Sequence, residues 1–269
     1  EGRLTWLVYI VGAVIRGRLS CSSAEPQETL DGDLAFRVFQ LIQVMDMGFH
    51  GTRYGAESRQ RLDLAVLNFF GNFRKVYVGE QAMHSSKVYV QLSERMGLHD
   101  HLMVMNLTVT KITMNLKSFA QCSKVVEASL NLLQDLAVGF MSGKLLLRLD
   151  AIKGTLLAHT PDHFPFLAQY VNTRNRTIFY ATLGRLLFMD DSAEKFHAFM
   201  APFGDLCDRL AATDAHTFRT HEVKHTLIGL FRDLRGIASS ANSRRTYGLL
   251  FDWMYPRHTG LLLRAMENF

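Results

Sequence analysis

The sequence predicts an all-α fold, a single continuous array of HEAT-like helix pairs over residues 1–269. Three observations carry this reading. Apolar residues rich in Leu, Met, Phe and Ala recur at helical spacing along most of the chain. Only five prolines and nineteen glycines interrupt 269 residues that are 48% hydrophobic and 20% charged, a balance that supports a packed core and not a disordered chain. Helix pairs recur about every 40 residues, the spacing of HEAT or armadillo units, in which each pair buries one face only against its neighbours, and about six such units fit the length.

The first helix is expected over Leu4 to Ile15. Its apolar run from Trp6 closes at Arg16, short of the roughly 20 residues a bilayer span needs, and no small-residue cleavage site of a secretory signal follows it. The chain starts at Glu1 without an initiator Met, as expected of a piece cut from a longer protein. Further helices are expected at Glu28 to Met47, Glu57 to Val78, Ser85 to Met96, Leu102 to Phe119 and Ser123 to Phe140. The second half continues with Leu145 to Ala158, Asn175 to Met189, Ala193 to Ala212, His221 to Ser240, Arg244 to Tyr255 and Thr259 to Phe269.

Starts and stops have physical causes. Asp100, Ser192 and Thr220 stand where a side-chain oxygen can accept from the free N–H groups of a first turn, and Glu222 adds a favourable charge there. Gly48, Gly79 and Gly97 follow apolar runs as helix stops, and Pro256 is expected to end the Trp253 segment because proline cannot continue the hydrogen-bond ladder.

Composition excludes several function classes. Cys21, Cys122 and Cys207 are odd in number and far apart, with no Cys-x-x-Cys pair, so neither a disulfide framework nor a zinc knuckle is indicated and a reducing compartment fits. The net charge of +5 is modest, and no block of five Lys or Arg residues occurs, so no direct nucleic-acid partner is expected. Nothing points to membrane insertion or to a cofactor.

Catalytic motifs are few. Gly139-Phe140-Met141-Ser142-Gly143-Lys144 has three residues between its glycines and Leu145 after the lysine, so it departs from the phosphate-binding loop and reads as a break between helices. His99-Asp100-His101 and the pair His159 and His163 offer imidazoles at metal-ligand spacing, but neither has a third ligand in register and Pro161 divides the second pair. His221-Glu222-Val223-Lys224-His225 matches His-Glu-x-x-His, in which two histidines hold zinc and the glutamate acts as base. A metal-dependent hydrolase built on His221, Glu222 and His225 is therefore the alternative function. Glu267 is its downstream candidate for a further ligand, without the spacing of the metzincins. Lys224, Arg232, Arg235, Arg244 and Arg245 gather a basic bias around Asp233. Part of that bias reads as ion pairing between helices, and the rest as a protein-binding patch able to steer an acidic partner.

Several stretches resemble one family in order and spacing from end to end. They are Trp6-Leu7-Val8-Tyr9-Ile10 with Gly12-Ala13-Val14-Ile15, Phe73-Arg74-Lys75 leading to Tyr77-Val78-Gly79, and Ser85-Ser86-Lys87 with Leu92-Ser93-Glu94. Beyond these come His159-Thr160 with His163-Phe164-Pro165-Phe166-Leu167, the run Arg232-Asp233-Leu234-Arg235-Gly236-Ile237-Ala238, and Phe251-Asp252-Trp253 with Tyr255-Pro256. Together they resemble the exportin-7 (Ran-binding protein 16/17) family of the importin-β superfamily. The stretches Gln81-Ala82-Met83-His84 and Gly97-Leu98-His99-Asp100-His101 look most like its plant or green-lineage form.

The resemblance implies a middle fragment of a nuclear export receptor, not an enzyme, that binds Ran-GTP, protein cargo and nucleoporins and shuttles between nucleus and cytoplasm through the nuclear pore. It supplies no binding residue, because no short family motif fixes one in this segment. A solenoid of helices agrees physically with that role: its long surface and its flexing can couple one partner's binding to another's.

Overall fold

The computed structural model describes residues 2–20, 25–48, 55–78, 87–190 and 192–269. Cys21, Gly79, the stretch 81–84 and the first two residues of the helix expected from Ser85 lie outside the described residues. The chain packs as two compact units, residues 1–132 and 133–269.

In the first unit, α1 (Gly2–Gly17) and a 3-10 turn (Arg18–Ser20) precede α2 (Glu25–Asp46), α3 (Ala56–Tyr77), α4 (Lys87–Met96) and α5 (His101–Ser118). The boundary between the units falls within α6 (Ser123–Val138). Helix α1 packs on α3, and α2 packs on α4, so helices stack on the element two places along, as in a two-layer helical repeat. Phe39 of α2 and Phe69, Phe70 and Phe73 of α3 are fully buried, and the Phe39 ring meets that of Phe69 edge-on at 5.5 Å. Each such ring contributes about 1.5–3 kcal/mol through burial. Gly32 lets α2 approach α4: a Cβ there would stand 2.9 Å from Gln91 Cβ and 3.3 Å from the Val88 Cα.

Buried charges join these helices where apolar packing alone would leave polar groups unmatched. Asp31 accepts from Arg18 Nε at 3.0 Å and from the Tyr77 hydroxyl at 2.7 Å. Lys111 of α5 stands 3.1 Å from Asp46 and 2.8 Å from Asp63, so its buried ammonium is paired with carboxylates of α2 and α3.

The second unit contains α7 (Phe140–Leu146), α8 (Asp150–Leu157), two 3-10 turns (Pro165–Ala168 and Tyr170–Asn172), α9 (Thr173–Leu187), α10 (Ala193–Ala212), α11 (Ala215–Phe218), α12 (His221–Ser240) and α13 (Arg244–Asn268). Helix α9 lies along α12, and α10 along α13. With the one-turn α11 set aside, this is the same two-step stacking as in the first unit. The expected caps form: Asp100 accepts from the Met103 N–H at 2.9 Å, Ser192 from Lys195 at 3.2 Å and Thr220 from Val223 at 3.4 Å. Gly48 and Gly97 take positive φ at their helix ends, as αL stops do.

Three expectations are corrected. The helix-pair spacing is not a uniform 40 residues: Gly2 to Ala56, Thr173 to His221 and Ala193 to Arg244 each span about fifty, while Lys87 to Ser123 and His101 to Phe140 each span slightly under forty, because helices of very unequal length are joined by turns of differing length. Pro256 does not end a helix, since α13 runs through it for 25 residues. The loss of one N–H bond there is outweighed by what lies beyond: Leu261 and Ala265 are buried, and Arg264 donates to the Ala211 and Thr213 carbonyls at 2.9 and 2.7 Å, filling the open C-terminus of α10. Finally, the chain breaks at Gly139 alone; the rest of the Gly139–Lys144 run is inside α7.

Candidate binding surface

The five basic residues lie on α12 and α13. Lys224 and Arg235 are exposed and eleven residues apart, three helical turns, so they share one stripe of α12. Arg232 is half-buried to one side of that stripe, and its carbonyl accepts from Thr177 Oγ1 at 3.2 Å. Arg244 and Arg245 are exposed in the first turn of α13. The Lys224 ammonium stands 5.3 Å from the centre of the Phe269 ring, within cation–π range. Asp233, central among them in sequence, turns inward and pairs with Arg176 of α9. The ion pairing between helices thus draws Asp233 inward, while Lys224, Arg235, Arg244 and Arg245 stay exposed.

The histidine motifs separate. His221 and Glu222 are exposed in the first turn of α12, while His225 is half-buried with its ring 5.5 Å from that of Tyr170. Glu267 is exposed near the end of α13. Among the described residues no group of three His, Cys, Asp or Glu side chains could hold a metal ion. His99 pairs through Nδ1 with Ser93 Oγ at 2.5 Å, and His163 with Thr160 Oγ1 at 3.1 Å. His159 is buried, stacked on Phe199 at 4.1 Å, with Nε2 donating to the Phe199 carbonyl at 3.1 Å. Burial pulls its pKa down to about 4, so it is a neutral core imidazole.

A concavity of about 570 Å³ opens in the second unit between the 159–168 segment and helices α9, α10 and α12. Its size is that of sites that hold small groups. The Arg176–Asp233 pair forms part of its wall; Arg176 Nε donates to Asp233 Oδ1 at 2.8 Å, and the guanidinium also donates to the Leu167 carbonyl. Burial pushes the Asp233 carboxyl up to about 6 against the opposing pull of Arg176. Tyr180, also on the wall, donates to the His159 carbonyl at 2.8 Å, and burial holds its hydroxyl well above the ordinary range. Asp162, Asp205, Arg209, Glu222 and His225 add to the polar lining, with Pro161, Leu167, Pro202 and Leu206 apolar among them. The sequence marks His159, Glu222, His225 and Asp233 singly but not their meeting in this cleft, because its residues are scattered over more than seventy positions.

The model of the Exportin-7-like TPR domain matches residues 1–175. The chain belongs to the exportin-7 family. Among its relatives in that family, Exportin-7-B of Xenopus laevis is 42% identical over 275 residues, covering 99% of this chain and 25% of the relative. Ran-binding protein 17 of Homo sapiens is also 42% identical, over 100% of this chain and 25% of that protein. Exportin-7 of Dictyostelium discoideum is 39% identical, over 99% of this chain and 27% of its own. The chain spans about a quarter of the length of these curated relatives. No solved structure matches it. The family and the helical-repeat architecture read from the sequence both stand.

Proposed function

We propose that this chain is a segment of a nuclear transport receptor that works as a binding scaffold, engaging Ran-GTP, protein cargo and nucleoporins during export through nuclear pores and shuttling between nucleus and cytoplasm. The observation that carries the reading is the colinear identity near 40% over essentially the whole chain with proteins named Exportin-7 and Ran-binding protein 17. The two-step helix stacking within each unit supports a scaffold, since such arrays present long binding surfaces. We read the full 1–269 span as one continuous array of helix pairs. On this reading the exposed cations Lys224, Arg235, Arg244 and Arg245, with Arg232 beside them, are the partner-facing residues of the second unit; their charge raises the encounter rate with an acidic partner.

The test is a titration of Ran, loaded with GTP or with GDP, against this chain and against the full-length protein that contains it. A full-length protein that prefers the GTP form supports the receptor reading, and binding by the chain alone then locates part of the Ran contact here. Indifference of the full-length protein to both forms overturns it.

A further inference from the structure

We propose that the exposed side of the α9–α12 pair is a docking surface for an acidic amphipathic helix of a partner protein. The proposal rests on the scaffold reading above and extends its basic patch from α12 onto α9.

Helices α9 and α12 run parallel, because their contacts advance together. Arg176 lies against Gly229, Thr177 and Ala181 against Gly236, and Gly184 against Ile237 and Ser240. Glycine at three of these meeting points lets the axes approach closely. Arg174, Ile178 and Arg185 share one stripe of α9, and Ile178 and Arg185 each follow a residue of the contact, Thr177 and Gly184. Lys224, Ile228 and Arg235 share one stripe of α12, and Ile228 and Arg235 each precede one, Gly229 and Gly236. One position turns an α-helix by about 100°. Between parallel helices, a step forward on one and a step back on the other turn to the same side, so both stripes open on one surface.

The two stripes carry the same pattern. Steps of four and seven residues separate Arg174, Ile178 and Arg185, and the same steps separate Lys224, Ile228 and Arg235. The four cations are exposed; Ile228 is 37% exposed and Ile178 half-buried. Arg232 is half-buried at the seam, where its carbonyl accepts from Thr177.

Charge on this surface has one sign. Helix α9 holds three arginines and no acid. Of the two acids of α12, Asp233 is committed to Arg176 and Glu222 lines the cleft. Exposed cations elsewhere pair with carboxylates: Arg61 with Glu57, Lys87 with Glu25, Arg95 with Asp33 and Lys195 with Asp190. Among the described residues, Arg174, Arg185, Arg232 and Arg235 have no such partner. Cations gathered without a counter-charge raise a local positive potential that draws and orients an anionic partner.

The isoleucine between the cations of each stripe decides the kind of partner. A bare polyanion gains nothing from an aliphatic side chain, and the six stripe residues include no aromatic ring on which a nucleic-acid base could stack. An amphipathic helix laid over the seam covers both isoleucines with its apolar face. Having the same rise per residue as α9 and α12, it can set carboxylates at the spacing of the cations.

The probe is a capped, alanine-based helical peptide of about twenty residues that copies the α12 stripe, with glutamate for each cation and leucine for the isoleucine. It is titrated into the chain and followed by NMR shifts, beside peptides with glutamine for glutamate or serine for leucine and beside a single-stranded oligonucleotide. The expected result is binding that weakens about fivefold for the glutamine peptide, in R174Q/R185Q and in R235Q, the scale of one or two exposed ion pairs. The serine peptide and Ile228→Ser weaken it as well. R37Q, at an exposed arginine of α2, leaves the affinity unchanged, and unaltered helical circular dichroism shows that the variants fold. No binding of the glutamate peptide, or loss in R235Q without loss in R174Q/R185Q, overturns the two-helix surface. A serine peptide or an oligonucleotide that binds as tightly overturns the amphipathic helix, and a chain dimer in sedimentation that R174Q/R185Q dissolves gives the surface to a second copy instead. Ran takes no part in this assay, so its outcome is separate from that of the transport reading.

Discussion

Arg176 and Asp233 form a buried two-pronged ion pair that joins α9 to α12, with the guanidinium also held by the Leu167 carbonyl. Both side chains are nearly withdrawn from water, 12% and 2% exposed, so neither survives alone. Removing the guanidinium in Arg176→Met strands a buried carboxylate and costs about 3–5 kcal/mol. The double variant R176M/D233L, which buries apolar groups in place of both charges, loses clearly less than the sum of the two single variants. Denaturant unfolding of the four proteins gives the comparison, and strict additivity would show that the pair is not coupled.

Gly236 and Gly154 predict opposite signs for the same substitution. At Gly236, in the contact between α12 and α9, a Cβ would stand 2.6 Å from the Thr177 carbonyl oxygen and 2.9 Å from the Ala181 nitrogen. Backbone cannot swing aside as a side chain does, so Gly236→Ala forces the helices apart and costs about 1–3 kcal/mol. Gly154 is exposed inside α8 with open space where its Cβ would be. Gly154→Ala therefore stabilises by up to about 1 kcal/mol through helix propensity alone. Thermal melts of the two variants decide both signs.

Removal of metal leaves the chain unchanged. His221 and His225 sit on one helix face, but no third ligand joins them among the described residues, and two imidazoles alone leave a zinc ion half-coordinated. Treatment with EDTA is expected to leave the melting temperature where it was, and elemental analysis to find less than stoichiometric zinc. A drop of several degrees on chelation would restore the hydrolase reading of His221, Glu222 and His225.

Local rules and long-range contacts were unequally legible. Helix limits at Ala193–Ala212 and His221–Ser240 were readable because Ser192 and Thr220 form side-chain caps whose chemistry acts within three residues. The continuation of α13 through position 256 was not, since it depends on Arg264 reaching carbonyls more than fifty residues earlier in the chain. The two-layer stacking was foreseen from amphipathic helices of repeat length, but its uneven period was not, since short elements such as the α11 turn in the second unit have no apolar pattern to announce them. Asp233 was visible as a lone acid among arginines, whereas its partner Arg176 lies 57 residues away and has no local mark of its role. The cleft shares that origin: Asp162 and Asp205 look like ordinary surface acids until the fold brings them to one hollow with Glu222 of α12.

His159 makes stability depend on pH in a window that can be stated. Its pKa falls to about 4 in the folded chain, chiefly through burial, against about 6.5 when unfolded. Between those values the unfolded chain binds the extra proton and the folded chain does not, so stability decreases as pH falls from about 6.5 to about 4 and levels off below. The full effect is about 3 kcal/mol, because each tenfold loss of proton affinity on folding is worth about 1.4 kcal/mol. The ring also stacks against Phe199 and Phe203, so His159→Phe keeps an aromatic in the cluster while deleting the titration. That variant is expected to lose much of the slope between pH 6.5 and 4.5 in unfolding free energy measured by urea titration. A slope identical to that of the parent chain would assign the acid sensitivity to other groups.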